Sequence, residues 1–323
     1  MAAITVESHL SADWADAALR IDVIRAFTGR YADLPPKWLY DDRGSALFDQ
    51  ITRLPEYYLT EAERSILTAH AHEIASITGA TRVVELGSGT SDKTTTLLDA
   101  FQATGQLAHF VPFDVSETTL RDAAERLALR YPGLEVHAIV GDFIHHLRHI
   151  PVGGQTMIAL LGSTIGNVYQ EERRAFIGAT ADAMKTGDSL LLGFDVVKDV
   201  QRLIDAYNDS EGISEQFSKN LLSVINTRFS ADFDGGNFDY LPLWDPTEER
   251  IDVRLRATEP HRVEIADLGI TRDFEEGEEI RVEVSTKFRP ERLAAELADA
   301  GLEQAGLWFD EAGDYAVLLA RKA

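Results

Sequence analysis

The chain has 323 residues, 45% of them hydrophobic and 26% charged. That is ordinary globular composition at roughly twice the usual domain size, so one large domain or two intimate ones are expected. The net charge of −23 repels phosphate backbones and excludes a nucleic-acid binder, and the absence of cysteine excludes disulfides, thiolate zinc, iron–sulfur clusters and a Cys nucleophile.

In chain order, residues 1–16 scatter Glu7, His9 and Asp13 among apolar residues, which is not a secretory signal. No apolar run approaches the roughly 18–20 residues that a membrane helix needs. The expectation is a soluble, cytoplasmic protein that meets neither membrane nor nucleic acid. Residues 1–61 read as helical, with a loop at Pro35-Pro36. Five short apolar runs follow, at Thr81–Leu86, His109–Phe113, Glu135–Val140, Met157–Leu161 and Ser189–Phe194, each with the composition of a buried strand. Helical patterns separate them at Thr94–Thr104, Thr118–Tyr131 and Glu171–Met184. This alternation predicts an α/β fold with a parallel sheet. Residues 198–286 break the rhythm: they begin helical, pass a turn-rich segment at Asp232–Asn237, and continue as strands such as Arg250–Ala257 and Glu279–Phe288. A Pro-start, Gly-stop helix (Glu291–Ala300) and a closing strand (Tyr315–Arg321) complete the chain. Residues 1–61 and 198–286 are thus expected to form a substrate domain, and residues 62–197 and 287–323 the core.

The sharpest local signal is Val83-Val-Glu-Leu-Gly-Ser-Gly-Thr90, a buried strand running into a Gly-x-Gly turn before a helix. In doubly wound sheets a ligand lies at this edge, beyond the carboxyl ends of the strands. A dinucleotide fingerprint wants a small residue where Asp92 stands, and no Gly-Lys-Ser/Thr follows for a P-loop. Glu85, Asp114 and Asp142, at three successive strand ends, suit a ligand with cationic and hydroxyl groups and no phosphate. S-adenosylmethionine is such a ligand, and the Asp142-Phe143 pair is placed to bond an adenine amino group and pack on its ring. The same carboxylates are also what helix N-caps or solvated loops would use.

Longer motifs carry a resemblance. Leu34-Pro-Pro-Lys-Trp38, Leu47-Phe-Asp-Gln-Ile-Thr-Arg-Leu-Pro-Glu-Tyr-Tyr58, Val84-Glu-Leu-Gly-Ser-Gly-Thr90, Leu161-Gly-Ser-Thr-Ile-Gly-Asn167 and Glu283-Val-Ser285 resemble the histidine-specific N-α-methyltransferases of ergothioneine biosynthesis, from about residue 8 to the end. The resemblance implies a Rossmann-like class I methyltransferase core with a second, smaller α+β substrate domain. It implies transfer of three methyl groups from S-adenosylmethionine to the α-amino group of histidine, giving hercynine, in a monomer that needs no metal. By motif, Gly87 would line the methionine part of the donor and Lys93 would lie near it. Asp114 would hold the ribose, and Asp142 and Phe143 the adenine. Asn167 and Tyr207 would fix the amino and carboxylate groups of the amino acid, with Tyr40 close by as an aid to proton loss. Tyr57, Glu283 and Ser285 would recognise the imidazole.

Glu283 and Ser285 stand two apart, so on a regular strand they share one face. On pattern alone that face also carries Arg281 and Lys287 and reads as solvated. Val253 stands where family members carry Met, and Phe194 where some carry Thr; a smaller Val253 widens the ring pocket toward larger aromatic amino acids. The alternatives are therefore methylation of another aromatic amino acid such as tryptophan, a non-catalytic cofactor-binding module, and a metal protein using His145 and His149 at i, i+4. No Glu of a zincin motif accompanies those histidines, so they are expected to be solvated residues of a surface helix.

Overall fold

Strands buried on both faces read as near-continuous apolar runs, and the five runs named above fold as such. The computed structural model describes residues 4–11, 13–89, 94–151 and 153–323. The strands are β1 (Ile4–Ser8), β2 (Ala32–Asp33), β3 (Arg82–Leu86), β4 (His109–Asp114), β5 (Glu135–Val140), β6 (Thr156–Leu160) and β7 (Ser189–Asp195). There follow β8 (Phe238–Asp245), β9 (Arg250–Ala257), β10 (His261–Ile265), β11 (Ile270–Phe274), β12 (Glu279–Thr286), β13 (Leu302–Phe309) and β14 (Tyr315–Lys322). The chain divides into two compact units, one of Met1–Ser11, Glu61–Val197 and Phe288–Ala323, the other of Ala12–Thr60 and Lys198–Lys287.

The first unit holds an eight-stranded sheet in the order β1-β5-β4-β3-β6-β7-β14-β13. The strands from β1 to β7 pair in parallel, whereas β14 and β13 run antiparallel. Because the order reverses between β3 and β6, the carboxyl ends of β3, β4, β5 and β6 border the crevice where such sheets take ligands. Helices Thr94–Ala103, Glu117–Arg130 and Gln170–Ala183 make the crossovers. Val84, Val111, Ile158, Leu190, Phe194 and Leu318 are all at most 1% exposed and lie in one core cluster. Phe194 is thus a core residue, packed edge-on against Phe288 at 5.7 Å.

Two elements of this sheet differ from expectation. Residues 1–61 were expected to be helical apart from a loop at Pro35-Pro36, yet Ile4–Ser8 is an edge strand of the large sheet. Its Ile-Thr-Val-Glu-Ser sequence is too short and polar to announce a strand. Strand β13 was also unforeseen: Glu303 and Gln304 interrupt its apolar residues, and only Leu302 and Trp308 in it are buried.

The second unit holds a four-stranded sheet, β2-β12-β9-β8, and the hairpin β10-β11. Helix Ile213–Phe229 packs against β8, β9 and β12 and buries Phe217, Leu221 and Ile225. Among the described residues, no helix is long and apolar enough to cross a membrane.

Candidate active site

In the first unit the glycine turn follows β3. Gly87 and Gly89 adopt φ of +66° and +48°, a region that side chains with a Cβ avoid. Gly87 and Ser88 donate backbone N–H groups to the Phe113 carbonyl, which ties the turn to the end of β4. Asp114 completes that tie: its Oδ2 accepts from Gly89 N at 2.9 Å and its Oδ1 from Ser116 N at 3.1 Å. Asp142 is buried and caps the short helix Phe143–His146, accepting from Ile144 N at 3.0 Å. Phe143 is half-buried and borders the turn; a methyl group on Gly87 would meet its ring at 3.7 Å. Turn, Asp114 and Asp142-Phe143 therefore sit at adjacent strand ends. Glu85 lies inside β3, is buried, and accepts from the Thr94 hydroxyl at the start of helix Thr94–Ala103. Lys93 lies outside the described residues.

Asn167 ends a one-turn 3-10 helix (Thr164–Asn167) beyond β6 and is half-buried. Sequence reasoning missed what holds this loop. Glu63 is fully buried, and its Oε1 accepts from Gly162 N at 2.7 Å and from the Tyr315 hydroxyl at 2.8 Å. The carboxylate fits only because position 193 of β7 is glycine, where a Cβ would come within 2.1 Å of the same oxygen. A lone glycine inside an apolar strand was the available signal. Ser163, at φ +59°, accepts from Asp195 N through its hydroxyl and fixes the other side of the loop.

In the second unit, Tyr40 precedes helix Asp42–Ile51. That helix is capped by Asp41, which accepts from Gly44 N at 2.8 Å and from Asn220 Nδ2 at 2.7 Å. The Tyr40 ring packs edge-on against Phe48 and Phe217, each at 5.3 Å. Tyr57 meets Phe48 at 6.1 Å and Tyr207 at 6.2 Å. The Leu47–Tyr58 segment thus contributes both Tyr57 and the Phe48 ring that supports it.

The decisive local feature is in β12. Ile280 pairs with Leu255 and Glu283 with Val253, so three residues on β12 span two on β9, and the register shifts between Arg281 and Glu283. This is a β-bulge at Val282. Paired residues of an antiparallel ladder point to the same side. Leu255 and Val253 share a face; therefore Ile280 and Glu283 do too. The bulge separates Glu283 and Ser285 from Arg281 and turns them to the side of Val253, Ile251 and Tyr240. Arg281 stays on the opposite side, where its Nε donates to Asp252 at 2.9 Å beside Arg254. Asp252 is fully buried; burial opposes its ionisation, and Arg254 and Arg281 outweigh that and hold its carboxyl below the usual range. The solvated face expected from Arg281 and Lys287 is thus corrected: the two cations part company.

Lys287 is 1% exposed. Its ammonium donates to Ser285 Oγ and to the Tyr207 hydroxyl, each at 2.9 Å, and lies 4.6 Å from the Tyr207 ring centre. The Tyr207 hydroxyl donates to Ser285 Oγ at 2.7 Å, and the Tyr240 hydroxyl donates to the Tyr207 carbonyl. Sequence reasoning missed Lys287, since unbroken strand parity sets it on one face with Arg281, which reads as solvated.

Glu283 is half-buried beside this triad. Burial pushes its carboxyl up to about 7, against the pull of Lys287. Burial and then the Glu283 charge raise the Tyr40 hydroxyl well above the phenol range. Although 37% of the Tyr40 surface is accessible, its hydroxyl end lies in the packed region and keeps its proton. A carboxyl whose proton is held more tightly when folded destabilises the fold once ionised. That penalty is absent below the ordinary glutamate range, grows as pH rises, and is complete above about 7. Glu283→Gln is accordingly expected to raise the melting temperature at pH 8 by about 3 °C and to leave it unchanged at pH 4.5. Equal shifts at both pH values would refute the ionised-carboxylate explanation.

A doubly wound sheet with a glycine turn and an acid-bearing carboxyl edge is the arrangement expected of a methyltransferase of the S-adenosylmethionine-dependent class. The chain belongs to the family of histidine-specific, S-adenosylmethionine-dependent methyltransferases, whose sequence profile matches residues 19–322. It is 50% identical over 319 residues to the histidine N-α-methyltransferase of Mycobacterium tuberculosis, spanning 99% of both chains. The enzyme of the same name from Mycolicibacterium smegmatis is 48% identical over 317 residues, 98% of this chain and 99% of that one. Ergothioneine biosynthesis protein 1 of Schizosaccharomyces pombe is 34% identical over 225 residues, which span 66% of this chain and 29% of that protein.

Proposed function

We propose that the chain transfers three methyl groups from S-adenosylmethionine to the α-amino group of L-histidine, forming hercynine for ergothioneine biosynthesis. One observation carries the substrate assignment: the bulge at Val282 turns a carboxylate and a hydroxyl, Glu283 and Ser285, to one side of β12 among tyrosines. An imidazole offers two ring nitrogens, one donor and one acceptor when neutral. Glu283 accepts from the donor, and the Ser285 hydroxyl serves the acceptor. A ring lacking that pair leaves buried polar groups unpaired, which discriminates strongly. Tyr57 packs on the ring, and Tyr207 and Asn167 hold the carboxylate and amino groups.

S-adenosylmethionine, when bound, supplies an electrophilic methyl carbon. The left-handed turn at Gly87 and Gly89 leaves open backbone for its methionine part, Asp114 takes the ribose hydroxyls, and Asp142 with Phe143 takes the adenine. Lys93 completes this donor set. The reaction is an in-line displacement: the amine lone pair forms the N–C bond, the C–S bond breaks, and S-adenosylhomocysteine leaves. An α-amino group titrates near about 8 in peptides, so each round needs one proton removed and the lone pair aligned. Alignment falls to Asn167 and positioning dominates the rate. Tyr40 holds its own proton, so it acts as a hydrogen-bond partner and relay to water, not as a phenolate base. Tyr40→Phe is expected to lower kcat about tenfold with KM changed less than about threefold; an unchanged kcat removes Tyr40 from the chemistry.

Val253 is fully buried and pairs with Glu283 across the ladder, the feature that would favour a larger aromatic ring. Glu283 favours histidine. Mass spectrometry of a reaction with S-adenosylmethionine and an equimolar amino-acid mixture tests the choice. A gain of three methyl groups on histidine alone is expected; methylated tryptophan or tyrosine in preference would replace the reading.

A further inference from the structure

At the outer edge of the large sheet, the end of β1, strand β5 and the segment that follows Asp142 and Phe143 bring four imidazoles together. The i, i+4 geometry considered for His145 and His149 does not arise, because that helix stops at His146 and a 3-10 turn (Leu147–His149) follows. His145 is exposed. His149 instead stacks on His9 at 3.5 Å between ring centres, and His146 lies 6.2 Å from His9 and 6.0 Å from His149. Glu7 joins them: its Oε1 is 3.0 Å from His9 Nε2 and its Oε2 is 3.0 Å from His137 Nε2.

Two details distinguish this from a chance group of surface histidines. His9 Nε2 is buried and makes no hydrogen bond among the described residues, since the 3.0 Å approach to Glu7 is misaligned. A buried ring nitrogen without a partner is costly unless something fills the place. Moreover, Glu7, His9 and His149 each offer a ligand atom, and these atoms all lie within 4.8 Å of one another.

We propose that Glu7, His9 and His149 form a binding site for a divalent late transition ion of the zinc class, separate from the methyl-transfer residues. Two imidazoles and a carboxylate, with water in the fourth position, is a ligand set such ions accept. A tetrahedral ion at about 2.1 Å from each ligand holds them about 3.4 Å apart, so the set closes by side-chain adjustment alone. His137, on the second oxygen of Glu7, orients the carboxylate from behind, the outer-shell role that histidine–carboxylate pairs play at metals. Arg148 Nε donates to His149 Nε2 at 3.2 Å, so that nitrogen already presents a lone pair and the guanidinium yields it to the ion. The ion ties β1 to the segment that begins with Asp142 and Phe143, where His146 Nδ1 also contacts the Asp142 backbone.

The test is titration of the tag-free full-length chain with Co2+ alone, followed by absorption in the visible region, then displacement by Zn2+. One equivalent is expected to bind with intense d–d bands, and Glu7→Gln, His9→Ala and His149→Ala are each expected to weaken binding at least tenfold. His145→Ala, on the exposed neighbour, should bind as the parent does. Binding retained in a His9→Ala, His149→Ala double variant, or no saturable binding by the parent, would overturn the proposal. An anomalous difference map from zinc-soaked crystals of the parent chain needs no variant to fold: a peak between Glu7, His9 and His149 supports the site, and peaks only elsewhere reject it.

Discussion

Replacing Glu283 with alanine should raise the KM for histidine about 100-fold and lower kcat far less. The hydrogen bond from an imidazole N–H to a carboxylate contributes about 1.5–3 kcal/mol, and each 1.4 kcal/mol is about tenfold in affinity. The loss falls on binding because this contact is made equally before and during methyl transfer. The pH profile is a stricter check. Burial holds the Glu283 carboxyl at about 7, and only its ionised form accepts from the ring. Between pH 6 and 8 the ionised fraction grows about tenfold, so KM for the parent enzyme should fall by that factor beyond whatever Glu283→Gln shows. The substrate's own titrations are common to both enzymes, so the difference isolates the residue. Initial rates at saturating S-adenosylmethionine measure both quantities. Parallel profiles, or a KM for Glu283→Ala within threefold of the parent, would remove Glu283 from imidazole recognition.

Lys287→Met should be nearly as damaging, though Lys287 is assigned no contact with substrate. Its ammonium fixes the hydroxyls of Ser285 and Tyr207 at 2.9 Å each, and without it both polar groups lose their donor inside a buried region. We expect kcat/KM for histidine to fall about 100-fold, on the same scale of two lost charge-assisted bonds. Removing one partner of a buried charged group is destabilising, so the melting temperature should fall, and the rates are compared at a temperature where circular dichroism shows the variant folded. A packing defect alone would leave the pH profile in place. Loss of the charge that opposes the burial of Glu283 should instead move the midpoint near 7 upward. A midpoint unmoved in Lys287→Met would assign Lys287 a packing role only.

These two residues mark the limit of what could be read in advance. The parallel sheet was legible because each of its inner strands is an apolar run between turn residues, as at Arg82–Leu86 and Ser189–Asp195. Edge strands were not: Ile4–Ser8 and Leu302–Phe309 expose much of their length, and polar residues (Thr5 and Glu7; Glu303 and Gln304) interrupt their apolar ones. At the site, Gly87, Asp114 and Asp142 were visible because they end strands that were themselves visible. Glu63 was signalled only indirectly, by Gly193 inside an apolar strand, being itself one glutamate in a mixed helix whose partner, the amide of Gly162, lies 99 positions away. Lys287 was misjudged because strand parity was assumed to run unbroken from Arg281. A bulge is a backbone event set by pairing with β9, and nothing in Arg281-Val-Glu-Val-Ser285 announces it.

That bulge changes how heredity can act on specificity. Selectivity at this edge is written in the phase of the strand as well as in the identity of its side chains. Were Val282 drawn into the ladder opposite Val253, the two faces downstream would exchange: Glu283 and Ser285 would turn toward the ionic side, and Val282 and Val284 would take their places. No point substitution moves so many groups together. Descendants of this chain can therefore tune this face by substitution at positions such as Val253 while the register of β12 on β9 stays, and a one-residue slip of that register marks where the face has been rebuilt rather than adjusted.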